Sequence, residues 1–90
     1  MSRPYKQTHI YDGGFLREFA VDVDDKELVW HRDKKKRLIE VIEGEGWLLQ
    51  CDNQLPRELK VGDRFGIFAN TYHRLFKGTS NLKIKIHEEL

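Results

Sequence analysis

The chain has little of what would simplify its reading. One cysteine, Cys51, stands alone in 90 residues, which excludes an internal disulfide and points to a reducing, cytoplasmic setting. Two prolines and no low-complexity stretch leave no place for a linker, so the expectation is one domain over residues 1–90. No charge excess exists either, with 16 basic against 15 acidic residues. A general nucleic-acid binder carries a clear basic surplus, so no nucleic acid is expected as a partner. No apolar run approaches the length of a membrane span, and Met1-Ser2-Arg3-Pro4-Tyr5-Lys6 opens no leader-like apolar stretch, so no membrane is expected. Helical periodicity is almost absent as well.

Period-two patterns fill the space left by those absences. Thr8–Tyr11 reads as a strand closed by the turn Asp12-Gly13-Gly14. Phe15, Phe19, Val21 and Val23 place apolar residues at odd positions, with Arg17 breaking the run, so two short strands are expected there. A turn at Asp24-Asp25-Lys26 leads into a strand over residues 27–31. Further strands are expected over 38–43, 47–51, 57–61, 64–68 and 73–77. The last strand alternates most cleanly, Leu82, Ile84 and Ile86 against Lys83, Lys85 and His87. Eight to ten short strands with a turn about every ten residues fit an all-β sandwich or barrel, and closure would remove its exposed edges.

Chemistry concentrates between Trp30 and His73. On a strand, His31 and Asp33 point to one face, and a barrel can bring His73 to the same interior point. Two imidazoles and a carboxylate with open positions is the donor set of non-heme iron(II), and it also suits zinc, manganese or nickel. The bland alternative is a pair of strand-end residues that merely hydrogen-bond. Lys34-Lys35-Lys36-Arg37 is either a solvated loop or a basic patch. Tyr72, Arg74 and Phe76 alternate away from His73. Trp30 and Trp47 read as core or interface residues, and His9 and His87 as surface or satisfied histidines. No histidine is placed to activate Cys51, so it reads as a small buried hydrophobe.

Two spacings resemble those of the cupin family, small barrels of the double-stranded β-helix, or jelly-roll, type. The first family motif, His-x-His, three or four residues, Glu, six residues, Gly, aligns on Gly44 and puts His31 and Asp33 at the two histidines and Arg37 at the glutamate. The second, Gly, five residues, Pro-x-Gly, two residues, His, three residues, Asn, runs without a gap from Gly62 to His73 and ends at Lys77. The resemblance implies a cupin barrel with His31, Asp33 and His73 as metal ligands and Arg37 turned inward. An inward guanidinium needs an anion, either Asp33 or a ligand carboxylate or phosphate.

The functional expectation is a small-molecule-binding protein with an interior pocket for a polar or anionic ligand such as a sugar or carboxylate. In its catalytic version it works with a divalent metal (iron, zinc, manganese or nickel) or, without metal, with His73 or His31 as acid or base. In that reading Arg37 binds the substrate. The alternative is a non-catalytic ligand-sensing or dimeric interaction module, and an oligonucleotide-binding barrel ranks below both. The small core makes a homodimer the expected assembly.

Overall fold

The computed structural model describes residues 4–89; the leader reading therefore lies partly outside them, at Met1-Ser2-Arg3. Strands dominate, as the alternation implies: β1 Tyr5–Tyr11, β2 Gly14–Phe19, β3 Arg37–Glu43, β4 Leu48–Cys51, β5 Arg57–Glu58, β6 Arg64–Ile67, β7 His73–Phe76 and β8 Leu82–Glu88. Every pairing is antiparallel. They form a five-stranded sheet in the order β1-β2-β8-β3-β6 and a three-stranded sheet in the order β5-β4-β7.

The core lies between the two sheets, where β2, β3, β4, β6 and β8 turn their apolar phase. β8 contributes Leu82, Ile84 and Ile86, β3 contributes Ile39 and Val41, and β4 contributes Leu49, all buried. Trp47 is fully buried, and its Nε1 donates to the Ser80 carbonyl at 2.6 Å, so its one polar atom is satisfied. Trp30, in contrast, is 40% exposed and contributes nothing to this core. Gly78 lies where a Cβ would meet the Trp47 backbone nitrogen at 2.6 Å as well as the Glu45 carbonyl, so that loop tolerates no side chain.

Four expectations change. The strands do not close into one continuous ring: among the described residues the ladders form two separate sheets. The predicted strand 57–61 is cut short because the chain turns at once. Lys60 donates its backbone N–H to Asp63 Oδ2, Asp63 donates back to the Lys60 carbonyl, and Gly62 adopts φ +92°, leaving only Arg57 and Glu58 to pair with β4. The predicted strand 27–31 is instead a 3-10 turn at Asp25–Glu27, capped by Asp24, whose side chain accepts from the Lys26 N–H. That local cap outcompetes an extended ladder. Finally, β2 is one strand rather than two, and Arg17 keeps the inward phase between Phe15 and Phe19.

Candidate functional site

A single bridge attaches residue 31 to β7. His31 donates its backbone N–H to the His73 carbonyl at 3.1 Å, and His73 returns the bond at 2.9 Å. Two residues on from His31 and three back from His73, the Asn70 N–H donates to the Asp33 carbonyl at 2.7 Å. Asn70 reaches this position with φ 63°, a left-handed conformation that asparagine accepts more readily than most residues. The stretch 31–33 therefore runs antiparallel to 70–73, and the three side chains singled out by their spacing come together. Their nitrogen and oxygen donor atoms all lie within 4.8 Å of one another.

Both imidazoles are oriented by the same device. The Nδ1 of His31 lies 3.1 Å from the Val29 carbonyl, and the Nδ1 of His73 lies 2.8 Å from the Thr71 carbonyl. A carbonyl only accepts, so each Nδ1 carries a proton, and in the neutral ring the lone pair is then on Nε2. Backbone carbonyls fix metal-binding histidines in this way. The rings meet edge to face, centroids 4.2 Å apart. Burial holds His73 below the ordinary imidazole value; the Thr71 hydrogen bond and Asp33 oppose that shift, while His31 and Arg37 reinforce it.

Asp33 faces this lone pair. Its Oδ2 lies 3.4 Å from His73 Nε2 and is buried without a hydrogen bond. An uncharged acceptor nitrogen opposite a carboxylate oxygen is an unfavourable pair unless something positive sits between or beside them. Arg37 is the nearest fixed charge. Its Nη1 lies 3.1 Å from Asp33 Oδ2, close enough for an ion pair although outside hydrogen-bonding alignment. Its Nε and Nη2 both donate to Glu88 Oε2, at 3.1 and 2.9 Å. Arg37 is thus inward, as the resemblance implies, and belongs to no solvated run. Its charge is answered by two carboxylates, one of which, Glu88, went unnoticed in the sequence. Glu88 continues the inward phase of Leu82, Ile84 and Ile86, and that continuation was its signal.

His31, Asp33, Arg37 and His73 line a cavity of about 280 Å³ between the sheets. Its remaining wall is mostly apolar, including Phe19, Leu49, Ile84 and Ile86, with one further cation, Arg17. Cys51 stands apart, a half-buried thiol pushed upward by desolvation against a smaller opposing effect of Arg57. This fits the inert reading.

No protein-family model matches the chain, and no curated protein does. Solved structures do. A structure of DMSP lyases superposes with a TM-score of 0.73 at 18% identity, covering 86% of this chain and 37% of that one. The iron(II) form of HppE gives 0.66 at 18% identity, covering 84% and 41%. A cupin-2 domain protein from Shewanella frigidimarina gives 0.68 at 15% identity, covering 94% and 79%. The chain spans about two fifths of the lyase and HppE chains. At these identities the likeness is one of fold, and the fold is the cupin fold.

Proposed function

We propose that this cupin-fold chain holds a divalent metal through His31 Nε2, His73 Nε2 and the Asp33 carboxylate, and acts there on a small molecule seated in the adjoining cavity. The observation that carries the reading is the buried Asp33 Oδ2, which accepts no hydrogen bond while facing the lone pair of His73. A cation satisfies both groups at once. The donor set of two neutral imidazoles and one carboxylate suits iron(II), zinc, manganese or nickel, and HppE, a structural neighbour, is an iron(II) protein. When bound, such an ion polarises a substrate oxygen as a Lewis acid.

The chain's own groups divide the remaining work. The Val29 and Thr71 carbonyls fix the proton of each neutral ring on Nδ1, which leaves both Nε2 atoms as the donor atoms for a cation. Arg37, clamped by Glu88, holds the Asp33 carboxylate in place. It is thereby a positioning residue in this reading, and the substrate-binding role expected of it passes elsewhere. The apolar wall excludes water and accepts the body of the ligand.

Metal content of freshly purified protein tests the proposal. The expected result is close to one equivalent of a divalent ion, falling below a tenth in His31→Ala and in His73→Ala. Chain that takes up none of iron(II), zinc, manganese or nickel under anaerobic titration would end the metal reading. One observation favours a second reading, a metal-free binding module: the Arg37–Asp33 ion pair already places a positive charge 3.1 Å from the oxygen in question.

A further inference from the structure

Arg17 is the charged group of the cavity that the metal reading leaves unused. It sits on β2, in the five-stranded sheet, whereas His73 lies on the three-stranded one. Only 9% of it is exposed. Its Nε and Nη2 donate to Gln7 Oε1 at 2.9 and 2.6 Å, and its guanidinium carbon lies 3.8 Å from the centre of the Tyr5 ring. Gln7 is its cross-strand neighbour on β1, so the clamp follows directly from the register.

Both clamping groups are good guanidinium partners, and Gln7, which takes both hydrogen bonds, is a neutral amide. Among the described side chains no carboxylate forms a salt bridge with Arg17, whereas Arg37 has two. Burying an unpaired cation is costly, and buried guanidinium groups are normally met by a carboxylate or phosphate. A glutamate in place of Gln7 would supply that anion with almost no change of shape. The chain instead carries the neutral amide and leaves a held, oriented positive charge in the wall of a cavity that is otherwise mainly apolar. Desolvation is the largest effect on the Arg17 pKa and lowers it, with Arg37 adding to the lowering and Tyr5, Asp33 and Glu88 opposing it, so an arriving anion relieves a penalty that the fixed groups offset only in part.

We infer that Arg17 is the anion-recognition residue of this cavity, whose ligand is a compact molecule with an apolar body and one carboxylate- or phosphate-type head. The volume of about 280 Å³ equals the liquid share of roughly nine waters, which leaves room for a body of a few carbons beside the anionic head. The inference rests on the small-molecule reading of the cavity and not on the metal.

The test uses metal-free, chelator-treated protein, so failure of metal binding leaves it intact. Butyrate, butyl phosphate and butyramide are titrated against the Arg17 Nε–H resonance, assigned by its loss in Arg17→Lys. The expected result is saturable movement with at least one of the two anions and at least tenfold weaker binding of butyramide. Tighter binding of butyrate identifies a carboxylate ligand, and tighter binding of butyl phosphate identifies a phosphate ligand. Gln7→Glu, which pairs Arg17 internally, is expected to fold with undiminished thermal stability and to bind the preferred anion at least tenfold more weakly. Binding of butyramide equal to that of the anions, no binding of either anion, or wild-type anion affinity in folded Gln7→Glu overturns the inference.

Discussion

At the scale of single residues, protonation of His73 is where the site and the stability of the protein meet. Burial lowers its folded pKa below the ordinary 6.5, so the unfolded chain takes up the proton first as pH falls. Stability is therefore fully present above about pH 6.5 and declines as pH drops from there through the depressed folded value. The groups facing the ring are His31, Asp33 and Arg37, and removal of the ring removes the decline. Urea denaturation of metal-free protein between pH 8 and 5 is expected to show a loss that His73→Gln largely lacks; parallel pH profiles of the two would refute the assignment. The spacing of His31, Asp33 and His73 was readable in the sequence because the relevant contacts join short stretches in register. Glu88 and Gln7 were not singled out, since each becomes meaningful only through a neighbouring strand, 51 residues from Arg37 in one case and across a hairpin from Arg17 in the other.

Among the elements, legibility followed how completely a strand is buried on one face. β8 alternates cleanly and was read almost to its ends. The apolar pattern splits β2 into two strands because an arginine stands at an inward position, and such a pattern cannot announce a buried cation. The stretch before His31 was misread because residues 27–31 alternate by composition while the Asp24 cap decides the backbone. Loop geometry is equally decisive near Trp47. Gly78→Ala would force a methyl group against the Trp47 and Glu45 backbones, where neither can yield cheaply. A loss of about 2–3 kcal/mol is expected from such overpacking, measured by chemical denaturation, whereas Gly66→Ala, whose nearest neighbour would be the end of the Lys36 side chain at 3.4 Å, is expected to cost far less. Equal stability of the Gly78→Ala and wild-type proteins would contradict this packing.

For the molecule as a whole, a chain of 90 residues has a modest core and an apolar exterior to account for. Phe68 is 73% exposed, and Trp30 and Tyr72 are also exposed, each with a cation near its ring: Lys36 at 5.2 Å, Arg74 at 4.6 Å and Arg32 at 5.3 Å respectively. These residues suit the homodimer expected from chain length. Light scattering at micromolar concentration should return twice the chain mass, and Phe68→Ser should shift the balance toward monomer; a wild-type monomer at all accessible concentrations ends that expectation. The tie between residues 31–33 and 70–73 has a consequence at this same scale. The residues that stitch the loop to the sheet also carry the donor atoms of the proposed metal site, so under that proposal occupancy and anchorage would become one thermodynamic event. Whatever the triad captures also fastens one wall of its own chamber, and whatever loosens that seam releases the captive.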